Sequence, residues 1–440
     1  MDGRVEAADG STTPEDAAAV DQDSGEIQDS GVFTDDGGVQ ETDGGVGGDA
    51  GPKKCPADPF KSARTAGDLP ILGEVTGELT ADCDTVVHPL VLAKGQNIHV
   101  ELWGRSLMAD LRIYGPGVRG YLLQSIKYSY GTIAAIEFTA DIAGEYFVFV
   151  AQNGRKGASP YTVSTFCKDK CNLKATRFPI IMAPGFFGFQ NVGPIEYWWQ
   201  MKDTFGAQGY DMYFAPVDAF NSIEKRGAQL AAFVTQVLAQ TYARKVDIIA
   251  HSQGGLDSRY IISGLSFADK VGMLNMVASP HRGTTIADAI VSDPTGIGAP
   301  LLNALGVIFG AVLSGPEAQQ NMMASMNSMT TWNMAKFNPL YPDDARVAYR
   351  SWSGRSCYAW EKNCSKAIDI LLIPTFEYMR GVSGDNDGIV PTASAVWTGF
   401  QGYLAADHFN EIGQLLGVTG SFDHLKFYQG MFDSMRTAGY

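Results

Sequence analysis

One serine in this 440-residue chain stands where a nucleophile would be built. In "VDIIAHSQGG", Ser252 follows four apolar strand-forming residues and precedes helical text, with Ala250 two before it and Gly254 two after. A strand–turn–helix of this kind exposes the hydroxyl at the C-terminal edge of a sheet. The flanking residues must be small because the helix and a neighbouring strand pass close by. A hydroxyl also needs a base, and of the six histidines only His281, His408 and His424 lie downstream. In such sites the acid precedes the histidine. His408 in "DHFNEIGQLLG" follows the loop "GDNDGIVP", whose Asp387 is the candidate acid and Asp385 the alternative. Either aspartate could instead serve its own turn. His281, in "SPHRGT", lies early and reads as structural, and His424 falls on a C-terminal helix face. Acyl chemistry further needs fixed N–H donors for a developing oxyanion. Gln253 after the serine and Phe186 in "PGFFG" would supply them.

These residues need a scaffold. From about residue 176 onward strands alternate with helices, which predicts an α/β fold on a mostly parallel sheet. Strands are expected over 178–183, 246–250, 271–278, 346–352 and 377–382. Helices are expected over 222–242 and 253–263, with another beginning near His408. Before that, short alternating runs over 86–93, 97–103, 111–114, 134–139, 146–150 and 161–166 read as strands. Glycines 73, 77, 95, 115, 117 and 144 punctuate them, which suggests a small antiparallel β-sandwich of two sheets without a catalytic constellation.

The formal charge of -15 argues against nucleic acid as a partner, because neutralising phosphates takes clustered Lys and Arg. Most of it sits in residues 1–54, where 14 acidic residues face three basic ones. That segment has eleven Gly and no Leu, Tyr or Trp, so it reads as a disordered acidic tether. No signal-peptide pattern follows Met1. The expected division is therefore 1–54 tether, 55–172 accessory sandwich and 173–440 catalytic region. Six cysteines, at 55, 83, 167, 171, 357 and 364, show neither Cys-x-x-Cys spacing nor a Cys/His cluster. They predict disulfides and a secreted or cell-surface location. Cys357 with Cys364 is the favoured pair, with two bridges among the other four.

The segment 178–418 resembles the bacterial triacylglycerol lipases of the Pseudomonas and Burkholderia type, members of the α/β-hydrolase fold. The resemblance rests on "PIIMAPGFFGF", "VDIIAHSQGGLDSRYI", "SPHRGTTIADAI", "DPTGIGAPLLNALGVIFGAV", "GDNDGIVP" and "DHFNEIGQLLGV", in that order. It implies Ser252 as nucleophile, Asp387 as acid, His408 as base and Phe186 with Gln253 as oxyanion donors. It also implies a lid near 293–334, a lipase-specific folding chaperone as partner, no catalytic cofactor, and a structural calcium ion. The positions matching its calcium ligands are Asp369, Asn410, Gln414 and Val418, with Asn410 replacing an aspartate. Pro184 stands where the family has His, and no cysteine follows Asp387 to make the family's long-range disulfide. The earlier "DLRIYGPG" and "AGEYFVFV" resemble the bacterial pre-peptidase C-terminal domain, which implies an accessory role in secretion or surface binding.

Residues 294–316 carry no charge. Their helical part, 300–313, would be about 21 Å long, short of the ~30 Å hydrocarbon core, so no transmembrane span is expected. A lid and a buried core helix are the two readings left, and Met322, Met323, Met326, Met329 and Met334 supply deformable apolar surface beside it. The expected function is a secreted serine ester hydrolase, a lipase acting through an acyl-enzyme on long-chain esters at an interface. The alternatives are an esterase of soluble or polymeric esters and a non-catalytic surface-binding protein.

Overall fold

The computed structural model describes residues 64–440, apart from 66–67, 81–83, 105–106, 117–121, 128–131, 154–157, 189–190, 193–194, 310–315, 363, 365–366 and 415. The expected tether, Cys55 and Cys83 lie outside the described residues.

Alternation of apolar and polar residues builds the N-terminal part as two stacked sheets. One has the order β1 (Arg64–Thr65), β3 (Thr85–Leu92), β8 (Gly144–Gln152), β5 (Ala109–Tyr114) and β6 (Leu122–Lys127). The other runs β2 (Gly73–Leu79), β9 (Ser159–Asp169), β4 (Asn97–Trp103) and β7 (Ala134–Thr139). Every pairing is antiparallel except β1 on β3. Inward residues such as Leu90, Ile98, Val100, Leu111, Val148 and Val163 make its core. Three strands, β1, β2 and β6, lie outside the alternating runs of the sequence. Gly73 and Gly77 belong to β2 and not to turns, and a Cβ on Gly77 would lie 2.3 Å from the Tyr161 hydroxyl, so this glycine admits a ring packed across the sheet.

The remainder is organised by a six-stranded sheet, all parallel, with β11 (Asn191–Val192) and β12 (Ile195–Glu196) as a small antiparallel ladder outside it. Its order is β13 (Met212–Phe214), β10 (Ile180–Ala183), β14 (Val246–His251), β15 (Val271–Val277), β16 (Ala348–Gly354) and β17 (Phe400–Leu404). The central strands β10, β14 and β15 are wholly buried and mostly apolar because both faces are covered, with Asp247, His251 and Asn275 as their polar members. Ile180, Met182, Ile249 and Met273 enter one core, while Ile181, Ile248, Leu274 and Met276 enter the other.

Helices α1 (Met201–Gly206) and α2 (Ile223–Thr241) precede β14, and α3 (Gln253–Arg259) follows it. In α2, Ile223, Gly227, Leu230, Ala231, Val234 and Val237 are buried at helical spacing, and Ser222 caps the first turn by accepting from Lys225 N–H. After β15 come α4 (Thr285–Ser292), α5 (Gly298–Phe309), α6 (Pro316–Ser328) and α7 (Thr331–Leu340).

Two sequence expectations are corrected here. Residues 377–382 are not a strand; they close α8 (Ile373–Val382), which starts with Pro374 in its first turn and buries Thr375, Phe376 and Met379 on one face. No long helix begins at His408. A single 3-10 turn, Asn410–Ile412, ends at Gly413 with φ 79°, where a Cβ would meet the His424 ring at 2.4 Å. The terminal helix, after the short α9 (Thr392–Ala395), is α10 (His424–Thr437).

Disulfides join Cys167 to Cys171 and Cys357 to Cys364. The sandwich meets the parallel-sheet region through Glu145, which pairs with Arg177 and with Arg244 at 2.5 Å, and through Gln96, which donates to Leu173 O at 3.1 Å.

Candidate active site

Ser252 lies at the tip of β14 with φ 54° and ψ -129°, a backbone conformation that ordinary residues avoid and that close packing maintains. Its N–H donates to Val277 O at 2.9 Å, and its carbonyl accepts from Gly255 N–H at 3.1 Å. The small residues are accounted for by clearance. A Cβ on Gly254 would sit 2.5 Å from Ala183 O, and one on Gly255 2.1 Å from Ser279 Oγ.

The loop after β10 packs directly on the serine, since a Cβ on Gly185 would lie 2.5 Å from Ser252 Cβ. Three ties hold it there. Pro184 O accepts from Arg226 Nη2 at 2.7 Å, Gly185 O from Gly188 N–H at 2.9 Å, and Phe187 N–H donates to Ala219 O at 2.7 Å. The Phe186 ring rests on Phe220, 4.8 Å between centroids. Pro184 therefore does not loosen this loop. Arg226 is wholly buried, with Nε 2.8 Å from Asp257 Oδ2. Burial pushes the Asp257 carboxyl up to about 7, and Arg226 offsets part of that rise.

Asp387 and His408 meet. His408 Nδ1 is 2.8 Å from Asp387 Oδ2, and His408 N–H donates to Asp387 O at 2.9 Å. Asp387 Oδ1 accepts from the N–H groups of Ile389 and Val390, so the turn-forming role and the imidazole contact use different oxygens of one carboxylate. Asp385, in contrast, is 68% exposed on its side chain and faces Arg355 at 3.4 Å. His281 is buried against Trp397, its ring stacked at 4.9 Å. His424 Nε2 lies 3.0 Å from Trp199 O on the packed side of α10.

Of the four positions matched to calcium ligands, one carries a carboxylate, and Asn410 Oδ1 and Gln414 Oε1 are buried without a hydrogen-bond partner among the described residues. Asp369 Oδ1 accepts from Leu371 N–H at 2.8 Å as the cap of a 3-10 turn. Asn410 Nδ2 donates to Gln414 O at 3.3 Å, so an amide N–H faces the carbonyl a cation would need. Val418, matched through its backbone carbonyl, is 74% exposed as a residue. A hard cation requires several charged oxygens converging on one point, and the single carboxylate here is already engaged. Among the described residues, the only His/Cys/Asp/Glu group close enough to share an ion is His251, His408 and Glu411, whose facing atoms lie within 4.8 Å of one another. Both imidazoles in it already face carboxylates, so it is a hydrogen-bonded network.

Residues 179–303 match the family described as Lipase (class 2). A triacylglycerol lipase of Vibrio cholerae is 29% identical over 293 residues, 60% of this chain and 89% of that protein. One of Pseudomonas fragi is 30% identical over 198 residues, 41% of this chain and 67% of that protein. The chain belongs to the bacterial triacylglycerol lipase family. It is thereby a lipase-type carboxylic ester hydrolase. The N-terminal strands are similar to the pre-peptidase C-terminal domain of a Bacillus anthracis collagenase, at 17% identity over 23% of this chain and 93% of that one, TM-score 0.20.

Several residues of this lipase's site went unread in the sequence. His251 lies before the serine, outside the order acid then histidine, and its signal is an imidazole ending an otherwise mostly apolar strand. Glu411, buried in the turn after His408, and Tyr197 carried comparable signals only in hindsight of burial. Arg226 and Asp257 occupy consecutive helices and could be paired only by the tertiary packing.

Proposed function

We propose that Ser252 is the nucleophile of a secreted lipase, with His408 as its base, Asp387 as the group that orients the imidazole, and Phe186 and Gln253 N–H as oxyanion donors. The observation that carries this reading is the His408 Nδ1 to Asp387 Oδ2 bond, on the same sheet edge as a strained serine turn. With Nδ1 committed to Asp387, Nε2 is left to take the serine proton. Ser252 Oγ attacks the ester carbonyl as that proton passes to His408, and the alcohol departs with it to leave an acyl-enzyme. Water, deprotonated by His408, then releases the acid.

The substrates are esters of long-chain acyl groups, triacylglycerols among them, taken from an interface. In support, Leu301 and Leu305 of α5 and Met326 of α6 are buried in one apolar cluster with Phe409, and Phe186 packs against it. Residues 293–334 would thus form a lid closed in water, served by an accessory sandwich at 55–172 and a catalytic region at 173–440. No helix among the described residues is long and apolar enough to cross a membrane, and the two disulfides support export. A lipase-specific chaperone remains part of this reading on family grounds.

Treatment with a serine-directed alkyl phosphonate should stop ester hydrolysis and place one adduct on Ser252 by peptide mass spectrometry; an adduct on another residue refutes the assignment. A long-chain ester should be hydrolysed more steeply above its aggregation limit than below it. A flat profile across that limit would favour an esterase of soluble esters.

A further inference from the structure

A chain of hydrogen bonds runs behind the site that the hydrolytic steps do not use. Gly185 N–H donates to Tyr197 Oη at 2.8 Å, Tyr197 Oη lies 2.7 Å from His251 Nδ1, and His251 Nε2 lies 3.0 Å from Glu411 Oε2. Glu411 Oε2 is also 3.6 Å from His408 Nδ1, and the His251 and His408 rings approach to 4.5 Å. All four side chains are buried.

Tyr197 Oη accepts from Gly185 N–H and shares a hydrogen bond with His251 Nδ1, whose ring shares another with Glu411 through Nε2. Burial holds the tyrosine hydroxyl protonated by raising its pKa, holds His251 neutral by lowering its own, and raises that of Glu411.

We propose that Tyr197 is a positioning residue for ester hydrolysis, its hydroxyl setting the oxyanion loop through a chain that continues by His251 to Glu411 beside the His408 ring. The argument is geometric and rests on the active-site reading above. The donor assigned to Phe186 belongs to the peptide linking it to Gly185, and in a planar trans peptide the C=O and N–H point in opposite directions. Gly188 holds that C=O and Tyr197 holds the preceding N–H, so both sides of Gly185 are tied. Loss of the hydroxyl releases one tie and lets the Phe186 N–H swing. Because Glu411 bonds His251 and lies 3.6 Å from His408 Nδ1, and the two rings pack at 4.5 Å, the same chain couples the loop's position to that of the base.

Tyr197→Phe keeps the ring in its packing and removes only the hydroxyl. On a soluble ester kcat should fall about 10- to 100-fold with KM within about twofold, the pattern of a donor that acts in the transition state. His251→Leu should lose a similar amount, while His251→Asn, whose amide oxygen can meet the Tyr197 hydroxyl, should recover much of it. Tyr197→Phe combined with His251→Leu should be no worse than the poorer single variant, because both break one chain. An unchanged kcat in Tyr197→Phe, a change confined to KM, or additive losses would each overturn the proposal. If Tyr197→Phe does not fold by circular dichroism, the contrast between His251→Leu and His251→Asn carries the same test. Phosphonate labelling separates the two claims: label absent from Ser252 refutes the active-site reading, whereas label on Ser252 with unaltered kcat in Tyr197→Phe refutes the positioning role alone.

Discussion

The sandwich and the parallel-sheet region bury very different things. The sandwich core is aliphatic and aromatic, with His88 set against the Tyr161 hydroxyl at 3.0 Å and two buried carboxylates, Asp110 and Glu145, each paired with arginine. The parallel-sheet region buries Arg226, Asp247, His251, Asp257, Arg259, His281, Asp387, His408 and Glu411. Burying ionisable groups costs stability, and here most converge on the serine turn or the loops beside it. One region is optimised to hold together, and the other spends stability to hold charges and dipoles in place.

Substitutions can break or sharpen that contrast. Ser252→Ala should lower turnover by about six orders of magnitude, as in serine hydrolases whose catalytic group acts as a unit, while Tyr161→Phe in the sandwich should leave turnover on a soluble ester unchanged. Steady-state assays of the two variants check this.

Arg226→Met leaves Asp257 buried without its partner. Equilibrium denaturation should show a loss of about 3–5 kcal/mol, against about 1 kcal/mol for Tyr161→Phe, which removes one neutral hydrogen bond. Equal losses would mean that the two regions bury polarity at equal cost.

His281 gives a pH test. Burial, reinforced by Arg259 and Arg282, holds its pKa well below the ordinary histidine value, and neither ring nitrogen has a hydrogen-bond partner among the described residues. Below about pH 6.5 the unfolded chain binds a proton that the folded one refuses, so stability falls as pH drops. His281→Phe, which preserves the stack on Trp397, should remove up to about 1.4 kcal/mol per pH unit from that acid-side slope. Melting curves at pH 5 and 7 read it directly.

The smallest effect concerns metal. Since Asp369 is the one carboxylate among these positions and caps its own turn, a calcium chelator should move the melting temperature by no more than about 2 °C. A larger fall would show that the loop after His408 rearranges around an ion.

Much of this was legible in the sequence, for local reasons. The elbow needs small residues within two positions of Ser252, strands β10, β14 and β15 announce themselves as mostly apolar runs, and the order of acid and histidine leaves few pairs to weigh. Periodicity failed where a segment is short or carries mixed signals. Residues 377–382 carry Tyr378 and Val382 and can be read as a strand, yet Pro374 and the spacing of Phe376 and Met379 make a helix once a core lies on one side. Local sequence thus determined the chemical types, the elbow and the alternation of elements, because these depend on neighbours within a turn or two. Only the tertiary structure decided which carboxylate faces His408, that Arg226 meets Asp257, and that Tyr197, His251 and Glu411 form one chain. Those choices join residues as far as 160 positions apart, and only the packing of the whole sheet brings them within a hydrogen bond.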